Sequence, residues 1–275
     1  MADSWNDRAY LRGAQYKTDT NLASRQSIYA YQRPRVDLAA WVLDLAGPAP
    51  SDTIADVGCG NGMYLAELTR RGLPCRVLGV DLSVGMLTAA RQRAAAAGPA
   101  SPSRPGTPSA RLALAAGDAT ALPLRDGAAD LTLAAHMLYH VPEPADALRE
   151  LRRVARPGGR VVIVLNGAGH LRQLRAAVAA ALGDATAPRG ERVTLDDGES
   201  LARSLFGQVT RHDFTTELRV PSPEPIADYV RSLPGARHGS DLEDLAATVA
   251  AAIPKTPEGH YLITTHTGCL ICHVD

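Results

Sequence analysis

The chain has 275 residues, of which 45% are hydrophobic, so it can bury a full core as one domain with additions or at most two domains. Its 29 Lys and Arg residues equal its 29 Asp and Glu residues, so no overall charge attracts nucleic acid or an anionic membrane. The N-terminus lacks the basic and apolar regions of a signal peptide, and no apolar run approaches the ~20 residues that cross a bilayer. These features favour a cytoplasmic protein with a small, neutral partner.

Residues 1–33 are polar and aromatic, with tyrosines interleaved among basic residues, and we predict that they form an N-terminal arm. For the first dozen residues, a solvated and partly disordered arm is an equal alternative. Asn21, Arg25 and Tyr29 recur every four residues, which places them on one face of a helix. A further amphipathic helix is predicted over residues 34–46, where the main domain, 34–275, begins.

The first strand, 53–57, breaks into glycines at alternate positions, and a helical pattern follows from Met63 to Arg71. This order predicts a strand, a tight turn and a helix, with a backbone that allows a ligand to approach closely. A dinucleotide fingerprint needs glycine or alanine where this chain has Met63, so that interpretation fails. A turn that only packs strand on helix remains the alternative for an isolated motif.

The pattern that remains is D-x-G-x-G-x-G, from Asp56 to Gly62. It resembles motif I of the class I (Rossmann-like) S-adenosylmethionine-dependent methyltransferases of the small-molecule type, and the likeness extends over residues 53–166. The resemblance implies S-adenosyl-L-methionine as cofactor and S-adenosyl-L-homocysteine as product. It also implies an α/β, doubly wound, seven-stranded, mostly parallel sheet of order 3-2-1-4-5-7-6. The resemblance further implies that the N-terminal arm, residues 1–33, folds over the cofactor as a lid. Substrate-cap insertions are expected at about 167–207 and 221–255.

The next two strands, 75–80 and 111–116, end near aspartates that suit a nucleoside. Asp81 fits a ribose acceptor, with a helix N-cap as its alternative. By the resemblance Asp118 would accept from the adenine amine, with a turn aspartate as its alternative. Arg25 would pair with the cofactor's carboxylate. The full set of implied cofactor contacts is Tyr16, Arg25, Asp56, Gly58, Cys59, Gly60, Asn61, Gly62, Asp81, Leu82, Met86, Gly117, Asp118, Ala119 and His136.

The fourth strand, 130–135, leads into a loop that should face the reactive sulfur, because ligands lie outside the carboxyl ends of such strands. His140 in this loop has two interpretations: a general base, or a packed histidine bonded to backbone. Tyr139 and His170 are further candidates to orient or deprotonate the acceptor. No Asn/Asp-Pro-Pro-Tyr/Phe signature follows the strand, which argues against base and glutamine amino methyltransferases.

The rest of the chain is predicted as strands and helices with one long loop. The proline-rich stretch 98–109 is expected to be a mobile loop on the face away from the ligand. Cys269 and Cys272 resemble a metal clip, but the alternation over 261–274 turns them to opposite faces of a strand, so we predict no metal site. The remaining predicted strands are 161–165, 209–220 and 261–274, and the remaining helices are 86–97, 145–155, 170–182, 196–206, 225–233 and 241–253.

The sequence therefore predicts an enzyme that moves a methyl group to an N, O or C atom of a small molecule in secondary or cofactor metabolism. Two alternatives stay open: a related fold recruited for a non-methyl reaction such as cyclisation or dehydration, and a non-catalytic S-adenosylmethionine-binding protein. The acceptor's identity and the oligomeric state are not determined by these patterns.

Overall fold

The computed structural model describes residues 7–98, 110–182, 193–233 and 240–275. It shows one eight-stranded sheet with helices on both faces. The strands are β1 Gln32–Arg33, β2 Thr53–Val57, β3 Arg76–Asp81, β4 Arg111–Ala116, β5 Ala129–Ala135, β6 Ala155–Asn166, β7 Gln208–Val220 and β8 Tyr261–His273. The helices are α1 Arg8–Tyr10, α2 Thr20–Ser27, α3 Leu38–Ala46, α4 Met63–Arg71, α5 Val84–Ala97, α6 Pro144–Val154, α7 Arg172–Leu182, α8 Leu195–Leu205, α9 Glu224–Arg231 and α10 Ser240–Ala252. The loop predicted over 98–109 lies outside the described residues apart from its first position.

The sheet order is β1-β7-β8-β6-β5-β2-β3-β4. Strands β4, β3, β2, β5 and β6 are parallel, and β8 runs antiparallel between β6 and β7. The α/β, mostly parallel architecture was thus predicted, and the seven expected strands keep their expected order. The count of seven was wrong, because β1 adds an eighth strand by pairing antiparallel with β7. Two residues are too few to show a strand pattern in the sequence.

The central strands are apolar along their whole length because helices cover both faces of the sheet. One core lies between the sheet and helices α6 and α8, and the other lies under α3, α4 and α5. Cys272 belongs to the first core and Cys269 to the second, and both thiols are buried and free. The prediction that these cysteines face opposite sides of the last strand is confirmed.

Several boundaries differ from the predicted ones for local reasons. Helix α5 begins at Val84, two residues early, because the Ser83 hydroxyl caps it by accepting from the Met86 N–H at 3.3 Å. Strand β6 begins at Ala155, six residues before the predicted strand 161–165, since Ala155 already pairs with β5 before a register shift.

A third hydrophobic cluster forms a cap from α7, α9, α10 and the ends of β7 and β8. Ile28 of the N-terminal arm is fully buried in this cluster. The arm continues through a π turn, Leu11–Gln15, and a 3-10 turn, Ile28–Tyr31. Gln15 and Arg25 both donate to the carbonyl oxygen of Ser232, at 3.2 and 2.7 Å. The arm is therefore held against the cap on one side of the sheet.

No helix in the described part of the chain is both long and apolar enough to cross a membrane.

Candidate functional site

A cavity of about 860 Å³ lies at the carboxyl ends of β2, β3, β4 and β5. The N-terminal arm and the cap form its opposite wall, with residues such as Tyr16, Tyr29, Leu174 and Tyr229. Its volume is in the upper part of the ~300–1,000 Å³ range of small-molecule sites. The sheet, the arm and the cap therefore enclose enough space for two small ligands together.

The turn after β2 forms the floor of this cavity and requires glycine. Gly58, Gly60 and Gly62 have φ values of 67°, 55° and 77°, in the left-handed region. A Cβ atom on Gly58 would lie 2.7 Å from the Cβ of Met137, and one on Gly62 would lie 2.8 Å from the Cα of Ala90. Gly58 and Gly60 line the cavity, whereas Gly62 contacts helix α5.

Asp81 connects this turn to the end of β3. Its Oδ2 accepts from the Gly60 N–H and its Oδ1 from the Ser83 N–H, both at 2.8 Å. Burial raises the pKa of Asp81, and these backbone donors oppose the rise. Ser83, and not Asp81, is the N-cap of α5, so the capping alternative is wrong. Asp81 lines the cavity together with Leu82 and Met86.

Asp56 lies beneath the turn and does not line the cavity. It is fully buried, and neither carboxylate oxygen has a hydrogen-bond partner in the structure. Loss of hydration, with a smaller effect of the Asp81 charge, raises the pKa of Asp56 to about 8. Asp56 is therefore a buried carboxylic acid at neutral pH. Asp56 and Gly62 do not line the cavity, whereas the other predicted residues of this motif do.

The end of β4 meets the N-terminal arm. Gly117, Asp118 and Ala119, the residues predicted for the adenine end, line the cavity. Asp118 Oδ2 pairs with Arg8 Nε at 2.8 Å, and Asp118 Oδ1 accepts from the Thr120 N–H at 2.9 Å. No local motif in the sequence marks Arg8 as a site residue, because its partner Asp118 lies 110 residues further along the chain. The arm thus closes the cavity at this end by an ion pair.

Tyr16 and His140 meet at the centre of the site. Tyr16 Oη lies 2.9 Å from His140 Nε2, and Arg25 Nη2 donates to the same hydroxyl at 3.2 Å. The Ser83 hydroxyl donates to the Tyr16 carbonyl oxygen at 2.7 Å. Tyr139 packs edge-on against the His140 ring, with centroids 4.5 Å apart. The arm therefore holds a tyrosine against the histidine that the sequence identified as a candidate base, and burial raises the pKa of that tyrosine.

The two other predicted histidines, His136 and His170, are neutral at physiological pH. His136 follows β5 in a left-handed conformation with φ 53°, and burial lowers its pKa to about 4. Burial, with a smaller effect of nearby His136, lowers the pKa of His170 to about 3. His170 Nε2 lies 2.8 Å from Tyr29 Oη, and its Nδ1 contacts the backbone of His266. His170 is therefore a weak base that is held by Tyr29 and by the backbone of His266, whereas His140 contacts Tyr16.

The arm also contacts the glycine turn, in a way that the sequence did not indicate. Asn61 Nδ2 donates to Gln26 Oε1 at 3.1 Å, and Arg93 Nη1 donates to Asn61 Oδ1 at 2.9 Å. Gln26 is adjacent to the predicted Arg25, but Arg93 lies in an alanine-rich helix without a motif. Among the residues that the structure describes, no group of three His, Cys, Asp or Glu side chains is arranged to hold a metal ion.

Comparison with known families matches residues 55–163 to a methyltransferase domain model. The malonyl-[acyl-carrier protein] O-methyltransferase of Serratia marcescens is 29% identical, over 72% of this chain and 69% of that protein. The demethylmenaquinone methyltransferase of Renibacterium salmoninarum is 34% identical over 44% of each chain. This chain therefore spans less than half the length of the second relative.

Among solved structures, phosphoethanolamine N-methyltransferase 2 of Haemonchus contortus superposes with a TM-score of 0.61. The match covers 98% of this chain and 60% of that one, at 17% identity. That structure contains phosphomonomethylethanolamine and S-adenosylhomocysteine. At this level of identity the superposition shows a common fold.

Proposed function

We propose that the chain is a class I S-adenosylmethionine-dependent methyltransferase, with its methyltransferase domain at residues 55–163, and that it methylates a small molecule. Its cofactor is S-adenosyl-L-methionine, which leaves as S-adenosyl-L-homocysteine. The single observation that carries the proposal is the shared cavity. The glycine turn, Asp81, the 117–119 segment and the pair Tyr16–His140 all border one enclosed space.

The turn and Asp81 suit the cofactor. Gly58 and Gly60 line the cavity without side chains, so a ligand can approach their backbone closely. The Asp81 oxygens accept from the N–H groups of Gly60 and Ser83, and their remaining lone pairs can accept ribose hydroxyls. Asp81 is fixed by those backbone bonds and is therefore oriented before a ligand arrives. We propose Asp118 and Ala119 for the adenine, as the resemblance implies.

Bound S-adenosylmethionine supplies a methyl group already activated by a sulfonium, so the protein's contribution is to position the acceptor and to move a proton. We propose that the His140 ring takes that proton through Tyr16: the Tyr16 hydroxyl receives the acceptor's proton and gives its own to His140 Nε2. Tyr139 restricts the same ring from the side. His136 and His170, kept neutral by burial, would contribute shape and hydrogen bonds to the wall of the cavity.

The N-terminal arm would exclude water from the reaction. Its contacts with the site include those of Arg8 with Asp118, Gln26 with Asn61, and Tyr16 with His140. A site closed to water strengthens the electrostatic contacts inside it. Arg25 already donates to Tyr16 and to Ser232, and its pairing with the cofactor's carboxylate stays a prediction. A cytoplasmic location and a role in secondary or cofactor metabolism also stay predictions.

The test is calorimetric titration with S-adenosylmethionine and S-adenosylhomocysteine, followed by a screen of acceptors for S-adenosylhomocysteine release. One binding site per chain and turnover with at least one small molecule are expected. Binding without any release would favour one of the two alternatives, a non-methyl reaction or a binding protein. A folded protein that binds neither nucleoside would refute the proposal.

A further inference from the structure

The wall of the cavity is more positive than the chain as a whole. Seven arginines but only four carboxylates line it among the described residues, although the complete chain is neutral. Arg8 and Arg70 are neutralised by ion pairs with Asp118 and Glu67. Positive charge therefore remains in a space that the neutral composition did not predict.

Arg175 is a half-buried cation on the cap side of this space. It lies in the first turn of α7, close to His170, and donates from Nη2 to the carbonyl oxygen of Ala168. In the part of the chain that the structure describes, no carboxylate pairs with it. By contrast, Arg93 is hydrogen-bonded to Asn61, and Arg12 is exposed to solvent. A partly buried guanidinium with only a neutral partner is a favourable place for an anion.

The surface around Arg175 is apolar. Leu171, Leu174 and Val178 of the α7 region and Leu233 beyond α9 line the cavity and belong to the cap's own hydrophobic cluster. This wall suits the hydrocarbon or aromatic part of a ligand, which would lose its contact with water there. A ligand that carries an acidic group on an apolar body would fit this site, because its acid could pair with the arginine while its apolar body contacts the wall.

The charge of the cofactor strengthens this argument, which rests on the proposed function. S-Adenosylmethionine carries a sulfonium, an ammonium and a carboxylate, so its binding adds a further net positive charge. After the two ion pairs, five arginines but only two carboxylates remain in the described lining, so an acidic acceptor would supply negative charge that the site lacks. We propose that the methyl acceptor carries a carboxylate or phosphate group that pairs with Arg175, while its apolar part lies along the cap wall. The partner is thus an anion and not the neutral molecule that overall charge favoured.

The test measures binding of three probes of equal chain length: octanoate, octyl phosphate and octanamide. Each is titrated by calorimetry into the protein with and without S-adenosylhomocysteine. We expect at least one of the two anions to bind about ten- to a hundredfold more tightly than the amide, as for one charge-assisted contact. The tighter of the two anions identifies the acid group.

Arg175→Gln should remove this preference without changing the affinity for octanamide or S-adenosylhomocysteine. Arg175→Lys should retain most of it, because the charge remains. Arg172→Gln is the matched control, since Arg172 is an exposed arginine of the same helical turn that does not line the cavity.

Two results would overturn the inference: equal affinities of octanamide and both anions, or an unchanged preference in Arg175→Gln. Either result, with S-adenosylhomocysteine still bound, would leave the proposed function standing. If S-adenosylhomocysteine did not bind but the anion preference still depended on Arg175, the anion site would stand and the proposed function would fall.

Discussion

Replacing Asp56 by asparagine should change how the stability of the protein depends on pH. Asp56 is fully buried without a hydrogen-bond partner, and its pKa is raised to about 8. In the unfolded chain an aspartate has a pKa of ~3.9. Between these two values the folded protein keeps a proton that the unfolded chain releases. Stability from this group is therefore fully present below pH ~4 and is lost as pH rises toward 8.

The size of the effect follows from the slope of about 1.4 kcal/mol per pH unit for one proton. Between pH 5 and pH 7 the wild-type protein should lose about 3 kcal/mol of unfolding free energy relative to Asp56→Asn, which has no proton to release. Because both proteins share all other titrating groups, the difference between them isolates Asp56.

Urea unfolding of both proteins at pH 5, 6, 7 and 8 measures this difference. Asp244→Asn serves as the control, since Asp244 is an exposed aspartate of α10, and its curve should follow that of the wild type. If the wild type and Asp56→Asn gave parallel curves, within about 0.5 kcal/mol, Asp56 would not carry a proton in the folded state and the burial argument would be wrong.

Four further outcomes are expected. Asp81→Ala should weaken S-adenosylmethionine binding in calorimetry by about one to two orders of magnitude, the worth of hydrogen bonds to a charged acceptor; an unchanged affinity would remove Asp81 from the site. His140→Ala should lower turnover and leave cofactor affinity nearly intact, whereas an equal loss of both would indicate a structural role. Gly62→Ala should cost about 2–4 kcal/mol in chemical unfolding, because its φ is 77° and the new Cβ would overlap Ala90. The control Gly13→Ala, which meets no atom within 4 Å, should change stability by less than about 1 kcal/mol. Finally, bound S-adenosylmethionine should slow proteolysis of the N-terminal arm, and equal cleavage rates with and without it would contradict a lid.

The strand, turn and helix around the glycines were predicted to the residue, as β2 and α4 show. Their signals are local: a short apolar run, glycines in left-handed conformations, then helical spacing. The same holds for β4, whose bounds were also predicted, and for Asp81, which lies beside the turn at the end of β3. Such patterns are visible in the sequence because they depend on neighbours within about one element.

The functional detail of the site depended on the fold. The Tyr16–His140 contact joins residues 124 positions apart, and the pairing of Arg8 with Asp118 is of the same kind. The sequence indicated which of these side chains carry useful chemistry, but not which of them touch. It also assigned Asp56 to the cofactor, whereas packing places that carboxyl under the turn.

The sequence by itself determined the position of the glycine turn and of the aspartates at the strand ends, because periodicity and turn chemistry are short-range properties. The parallel sheet was expected from the resemblance to a known family. Only the tertiary structure decided that the arm and cap close over one cavity, that Tyr16 faces His140, and that Arg175 stands in an apolar wall. The physical reason is that burial and charge pairing depend on which distant surfaces pack together. A chain that is neutral overall can therefore fold around a cavity with an excess of positive charge.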